Sequence, residues 1–361
     1  MRLLWIIHLY PPTHNCGSEL MAHHINKFLM SKGHEVRVIL MQAKRHNVQV
    51  PYYYEGVRVQ GDPLDNLDAY RWADVILTHL DYTKWAINIA RLVKKPIACF
   101  IHSHYTYDPN PIPDAKSDVH IVYNSKWVKD TLAYNWPNML LYPPCDAGYY
   151  NVCPDPWENK AIAMISINEN KGGYILYRVA KAMPYAKFIG VYGSYDDGGL
   201  QQGIADKIRS ECPNVELVPN SPDILSVYKR TRILLMPSRY ESWGRTATEA
   251  MCNGIPVICT GTRGLKENCG DAGLYIPDRG ACKADQYGKI TEHDGESYDI
   301  KPIVKHINNL DNEKYYRAVS TACRDRAAQL NPAKQLEELE QFIINAKHFK
   351  GYKEQASGVH Y

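Results

Sequence analysis

Short apolar runs alternate with stretches of helical period along most of this chain, and the alternation begins twice. Leu3–Leu9 is a continuous apolar run and reads as a strand. Ser18–Lys32 then reads as a helix: Met21 and Ile25 are four residues apart, and Phe28 and Leu29 follow at three and four. Gly33 ends it as a C-cap glycine would, and Val36–Met41 is the next strand, which completes a βαβ unit. Further strand-like runs follow at Val75–Thr78, Ile97–Ile101 and Val119–Tyr123, with a helix expected at Ser125–Tyr134. Tyr142–Asn159 holds four prolines and no helical period, so it is read as a linker.

Beyond that segment the pattern restarts. Strands are expected at Ala161–Ile167, Lys187–Val191, Val215–Val218, Ile233–Met236 and Pro256–Cys259. Helices are expected at Gly173–Ala182, Asp223–Lys229 and Thr246–Asn253. Two alternating halves imply an α/β architecture of two doubly wound, Rossmann-like domains, at residues 1–147 and 158–331, facing an interdomain cleft. Residues 332–361 form a last helix and tail. Its stripe of Leu336, Leu339, Phe342, Ile343 and Ala346 must pack on something; the pattern alone names no domain, and packing back on the N-terminal domain is the expectation. Ala281–Ser297 reads as a surface loop.

A chain of 361 residues, 45% hydrophobic and 22% charged, can bury a core without a metal or disulfide staple. A net charge of +3 suits anionic substrates but does not by itself indicate nucleic acid or membrane. Ten cysteines are scattered without a C-x-x-C pair, and several, such as Cys99 and Cys259, sit in apolar runs. That usage indicates a reducing, cytoplasmic setting. No run is long enough to span a bilayer, so a soluble protein without a transmembrane segment is expected.

In doubly wound sheets, ligands sit outside the carboxyl ends of strands, beside helix N-termini. The loops after Leu9, Ile101, Ile167, Val218 and Met236 are therefore the places for chemistry. The richest is Pro237–Val257, PSRYESWGRTATEAMCNGIPV. Glu241 and Glu249 there flank seven residues, and Gly244 opens the helix that carries Glu249. A glycine at that position lets the backbone approach a ligand, first-turn N–H groups point at an anion, and a carboxylate one turn on can accept from a diol. The competing reading is a solvated helix start with acids favoured by the dipole.

The run P-S-x-x-E-S-W-G-R-x-x-x-E-A-M-x-x-G-x-P-V resembles the retaining GT-B glycosyltransferases of family 4. The resemblance continues through TGTRGLKENCGDAGLYIP at Thr260–Pro277, NENKGG at Asn168–Gly173 and PPTHNCGSE at Pro11–Glu19. It implies a GT-B fold with the donor site in the C-terminal half. Carried over by position, Glu249 would hold the ribose hydroxyls and Glu241 would contact the donor sugar. The main chain of Trp243, Gly244, Arg245 and Thr246 would meet the diphosphate and sugar, and Lys171 would neutralise the diphosphate. The nucleobase would lie near Val218–Ser221, at Pro219. An arginine stands five residues before the lysine in many relatives, and here Ser166 occupies that place. Asn168 fits an N-x-x-K-G form instead, and Arg245 reads equally as a second cation or as a helix-face arginine. Gly17 corresponds to the glycine-rich loop of relatives, with Cys16 in place of a second glycine, and Glu19 belongs to that loop or is a first-turn helix acid. His102 resembles the histidine that approaches the donor sugar across the cleft; His104 ranks below it.

The implied activity is transfer of a hexosyl-type unit from a UDP- or GDP-sugar to a hydroxyl acceptor with retention. Same-face attack is favoured, because no paired carboxylates can be assigned at a double-displacement spacing. No cofactor is expected and no metal, since Lys171 and helix N-termini can replace one. His8, His14, His23 and His24 show no H-x-x-x-H spacing for a shared ion, and no G-x-S-x-G, P-loop or G-x-G-x-x-G is present. A glycan or lipid-linked acceptor is expected. With 27 tyrosines, including Tyr52-Tyr53-Tyr54 and Tyr105-Thr106-Tyr107 in N-terminal loops, and with Lys44-Arg45-His46 nearby, a nucleic-acid acceptor carrying a modified base is the alternative. A sugar-nucleotide epimerase and a non-catalytic sugar-nucleotide-binding protein also stay open.

Overall fold

The structure is a computed structural model, and it describes residues 1–61, 67–103, 119–194, 199–220, 223–280 and 294–348. His104, Tyr105-Thr106-Tyr107, Ser221 and most of the stretch Ala281–Ser297 lie outside the described residues. The chain divides into two compact units, Met1–Pro144 with Pro332–Tyr361, and Cys145–Asn331.

The first unit holds β1 (Arg2–Ile7), β2 (Glu35–Leu40), β3 (Tyr52–Tyr54), β4 (Val57–Gly61), β5 (Val75–His79), β6 (Ile97–Ile101), β7 (Val119–Tyr123) and β8 (Asn138–Leu140). They form one sheet in the order β3-β4-β2-β1-β5-β6-β7-β8. Only β3 runs antiparallel to its neighbour; the other pairs are parallel. β1, β5, β6 and β7 are apolar on both faces because helices cover both sides of a parallel sheet. The helix Gly17–Ser31 buries Met21, Ala22, Ile25 and Leu29 against one face. The last helix, Ala333–Lys347, adds Leu336, Leu339 and Ile343 to the same core, beside Leu3, Trp5, Phe100 and Val122. At its rim, Lys32 Nζ donates to Glu337 at 2.8 Å and His34 Nε2 lies 2.9 Å from Glu340 Oε1.

The second unit is a six-stranded, wholly parallel sheet of β9 (Ala161–Ile165), β10 (Lys187–Val191), β11 (Val215–Val218), β12 (Thr231–Met236), β13 (Val257–Thr260) and β14 (Leu274–Ile276). Its order is β11-β10-β9-β12-β13-β14. The chain winds outward from β9 one way, then returns to β12 and winds the other way. The order therefore reverses between β9 and β12, and between β1 and β5 in the first unit.

Two local expectations change. Tyr52-Tyr53-Tyr54 is an edge strand rather than a loop, closed on β4 by a two-residue turn. Glu55 and Gly56 there take φ of 43° and 85°, the geometry of a type I′ hairpin usually signalled by Asn-Gly. The proline-rich stretch Tyr142–Asn159 is also more than a tether. Asp146 caps a short helix, Ala147–Tyr150, and Cys145 and Tyr150 are buried in the second unit's core. Among the described residues, no helix is long and apolar enough to cross a membrane.

Candidate functional site

The reversal between β9 and β12 brings two loops together, 166–172 after β9 and 237–244 after β12. Asn168 organises the first: its side-chain oxygen accepts from Lys171 N at 3.0 Å, and its carbonyl accepts from the backbone N–H groups of Lys171, Gly172 and Gly173. Gly172 follows at φ 103°, where a Cβ would stand 2.6 Å from Pro237 Cγ and 3.0 Å from the Pro237 carbonyl oxygen. The glycine thus lets the two loops touch.

Across that contact, Lys171 Nζ reaches Glu241 Oε1 at 2.5 Å, and Ser238 Oγ donates to the same oxygen at 3.0 Å. The Lys171 side chain keeps 33% of its exposure and Glu241 keeps 11%. The pair is open enough to exchange partners with a ligand and dry enough for its charges to count.

Glu169, which the motif reading passed over, lies beneath this pair and is 1% exposed. Arg279 Nη2 donates to its Oε1 at 2.5 Å, while Arg279 Nη1 donates to the carbonyls of Glu169 at 2.8 Å and Pro237 at 3.3 Å. Arg279 therefore stitches both loops from below. Arg239 joins them too, with its N–H on the Asn170 carbonyl at 2.9 Å and Nη1 on Asn170 Oδ1 at 3.2 Å. The only advance signal for Glu169 was its place inside NENKGG.

Loop 237–244 leads into the helix Arg245–Cys252. Gly244 takes φ 83°, and a Cβ there would stand 2.4 Å from Leu265 Cδ2. Asn268 Nδ2 holds the carbonyls of Trp243 and Gly244 at 3.1 and 3.0 Å, which fixes the entry of the chain into the helix. Trp243 itself is a core residue, 2% exposed, with its indole N–H on Thr248 Oγ1 at 3.2 Å. Thr246 is half-buried, its hydroxyl 3.3 Å from Met236 Sδ.

Glu249 is 4% exposed and already holds two donors, Arg245 Nε at 2.7 Å and Tyr228 OH at 2.7 Å. The Arg245 side chain is buried, with Nη2 also on Tyr150 OH at 2.9 Å. Burial disfavours its charge, and Tyr150 and Glu249 more than compensate, so its pKa rises above the ordinary value. The structure thus places Arg245 in a buried i,i+4 ion pair with Glu249. Pro219 is exposed just beyond β11, where Asn220 Nδ2 reaches the Tyr192 carbonyl at 3.3 Å.

An open concavity of about 680 Å³ lies at the opposite, amino ends of the strands, lined by Lys160, Tyr185, Lys187, Glu216 and Arg230 among others. Ligands of parallel sheets sit at the carboxyl ends, so the loop pair is the better candidate.

In the first unit, His102 follows β6 and is half-buried. Its Nε2 lies 3.1 Å from His79 Nδ1, and its carbonyl accepts from Asn124 Nδ2 at 3.0 Å. Burial holds both imidazoles neutral, with His102 pushed down to about 4. Gly17 begins the helix Gly17–Ser31 with open space where a Cβ would be, so no close approach requires glycine there. Glu19 is fully buried, with its Oε1 2.8 Å from His8 Nε2 and its Oε2 accepting from Ser18 Oγ at 2.9 Å. His23 is bonded to Tyr10 OH and His24 to the Leu20 carbonyl.

Residues 191–282 match the family model described as Glycosyl transferases group 1. A segment of 125 residues is 29% identical to O-antigen chain mannosyltransferase B of Escherichia coli, covering 33% of this chain and 32% of that protein. The match thus spans about a third of that relative's length. Among solved structures, sucrose-phosphate synthase from Thermosynechococcus elongatus is similar at a TM-score of 0.73 and 16% identity, covering 96% of this chain and 100% of that one. Anabaena HepE in complex with UDP-glucose is similar at 0.71 and 15% identity, covering 97% and 100%. Starch synthase IV of Arabidopsis thaliana, bound to ADP and acarbose, is similar at 0.61 and 13%, covering 96% and 99%. The fold is accordingly of the GT-B type, two parallel-sheet α/β units.

Proposed function

We propose that this chain is a retaining glycosyltransferase of the family 4 type, moving a sugar from a UDP- or GDP-sugar to a hydroxyl of a glycan or lipid-linked acceptor. The observation that carries the reading is the Lys171–Glu241 pair, set where the strand order reverses between β9 and β12 and beside the opening of the helix Arg245–Cys252. A diphosphate would take Lys171 and the first-turn N–H groups, and the freed Glu241 carboxylate would accept from donor-sugar hydroxyls. Glu249 is assigned to the ribose: a carboxylate has about four acceptor positions, and Arg245 and Tyr228 use two. Arg245 then positions Glu249, and Pro219 and the end of β11 are assigned to the nucleobase. His102 is assigned to the reacting sugar from the sequence resemblance.

The match over residues 191–282 and the sugar-nucleotide ligand of HepE support this reading. The leaving diphosphate would accept the acceptor proton while Lys171 stabilises its growing charge, with no metal at the diphosphate. The test is a calorimetric screen of UDP, GDP, ADP and their sugars against wild type, Glu249→Ala and Lys171→Ala. One nucleoside diphosphate should bind, lose affinity in both variants, and bind alike with or without Mg2+. Failure of all of them to bind wild type would sink the transferase assignment. Once donor and acceptor are known, the anomeric configuration of the product decides retention.

A further inference from the structure

A second cluster lies inside the first unit, at the reversal between β1 and β5. His8 follows β1, His79 ends β5, and Glu19 sits in the first turn of the helix Gly17–Ser31. One ligand atom from each lies within 4.8 Å of the other two. A second set, His14, Cys16 and Glu19, meets the same limit and shares the carboxylate. Glu19 and His79 are fully buried, and the His8 side chain keeps 12% of its exposure.

Three features distinguish this cluster from a satisfied polar network. Glu19 Oε1 is 2.8 Å from His8 Nε2 yet makes no well-directed hydrogen bond there. Two ligands of one ion show that relation, since metal–ligand distances of about 2.0–2.2 Å set neighbouring donors about 3 Å apart, facing a common point rather than each other. His79 Nδ1 is engaged by His102 Nε2 at 3.1 Å, which leaves its buried Nε2 without a hydrogen-bond partner among the described residues. A ligating histidine commonly has its other ring nitrogen fixed by such an outer partner. Finally, Cys16, in the second set with Glu19, and His14, its ring 5.7 Å from that of His8, supply candidates for a fourth ligand.

We propose that His8, Glu19 and His79 bind one divalent transition-metal ion of the zinc type, with Cys16 or His14 closing the site. Two imidazoles and a carboxylate suit zinc better than magnesium or calcium, which prefer oxygen sets. A closed, four-ligand site is structural in kind. Its effect would be to pin residues 8–19, the loop that carries Gly17, to β5, and to fix the tautomer of His79 and hence the face it offers His102. Spacing could not reveal it, because the parallel pairing of β1 with β5 brings together residues 71 positions apart.

The test uses the full chain, stripped with a chelating resin and titrated with Zn2+ by calorimetry and with Co2+ by visible absorption. The expected result is one ion per chain, intense cobalt d–d bands of tetrahedral type, and a higher melting temperature with Zn2+. His8→Ala and His79→Ala should each weaken binding by at least about 100-fold, and His102→Ala by about 10- to 100-fold through the lost outer partner. A thiolate-to-cobalt band removed by Cys16→Ser selects Cys16 as the fourth ligand; absence of that band selects His14. If the variants fail to fold, the wild-type cobalt spectrum decides alone. The proposal is overturned if wild type retains no ion, if cobalt shows only weak octahedral bands, or if binding persists unchanged in folded His8→Ala and His79→Ala.

Discussion

Replacing Arg279 by methionine removes the stitch between loops 166–172 and 237–244, and its cost follows from the contacts it leaves. Glu169 Oε1 loses its 2.5 Å partner, and the carbonyls of Glu169 and Pro237 lose donors at 2.8 and 3.3 Å. Among the described residues, the carboxylate keeps the N–H groups of Tyr174 and Gly295 at 3.2 and 3.3 Å, with Arg239 4.0 Å away, while remaining 1% exposed. Breaking a buried ion pair by deleting one partner costs about 3–5 kcal/mol, chiefly because the other charge stays in a dry site. For a unit of roughly 150–250 residues, each kcal/mol lowers the melting temperature by about 2–4 °C, which predicts a loss of about 6–20 °C. Scanning calorimetry of wild type, Arg279→Met, Glu169→Gln and the double variant measures it. The double variant should be more stable than Arg279→Met alone, because an amide leaves no stranded charge. Strictly additive losses, or a drop under 2 °C in Arg279→Met, would refute the reasoning.

Four further outcomes can be checked. Gly172→Ala should cost about 1–3 kcal/mol in denaturant unfolding and weaken nucleoside diphosphate binding, because a Cβ at φ 103° meets Pro237; wild-type behaviour would show that the loops can part. Arg245→Met should be read first as a stability loss of about 3–5 kcal/mol, since it strands buried Glu249; a folded variant with wild-type melting and tenfold weaker donor binding would make Arg245 the second phosphate cation instead. Removing residues 332–361 uncovers the partners of Leu336, Leu339 and Ile343. At about 1.5–3 kcal/mol per buried side chain this should leave the chain insoluble or unfolded in its first unit by circular dichroism. Asp74 is partly desolvated, which raises its pKa, but the Arg2 N–H and side chain and Lys347 outweigh this and hold it at about 2. A depressed folded pKa stabilises above the unfolded value near 4 and is lost as pH falls toward 2. Asp74→Asn should therefore melt lower at pH 7 and converge with wild type near pH 2; a constant difference across that range would place its effect elsewhere.

The sheets were legible because their central strands are apolar on both faces and their helices carry a single apolar stripe. Leu3–Leu9 and Ile97–Ile101 could be little else, and Met21, Ile25 and Leu29 announce the helix that returns the chain to β2. What escaped notice were elements whose identity depends on their neighbours. The β3–β4 turn uses Glu55-Gly56, where the positive φ of a glutamate is imposed by strand pairing rather than advertised by residue type. The helix Leu200–Glu211 buries only Ile204, Ala205 and Ile208, a stripe too thin to stand out in a polar segment. The helix Glu313–Gln329 likewise shows a single buried tyrosine, cysteine and alanine on a charged background.

The candidate site divides along a similar line. Glu241, Gly244 and Glu249 stand in one compact motif and Lys171 in a second, 70 residues earlier, so the motifs singled them out, whereas the groups that hold them in place did not cluster in sequence. Glu169 and Arg279 are 110 residues apart, and Tyr150, which anchors Arg245, comes from the stretch read as a linker. Arg245 shows why spacing alone cannot assign a role. An arginine four residues before a glutamate on a helix can pair with it or reach outward, and burial selects the first. With the Arg245 side chain 7% exposed, turning it toward a phosphate would leave Glu249 and Tyr150 unsatisfied in a dry interior. Arg239 offers no easier cation: its side chain is 10% exposed, its Nη1 is tethered to Asn170 Oδ1 and its Nη2 lies 4.0 Å from the buried carboxylate of Glu169, so turning it outward would strip that carboxylate of a nearby charge as well.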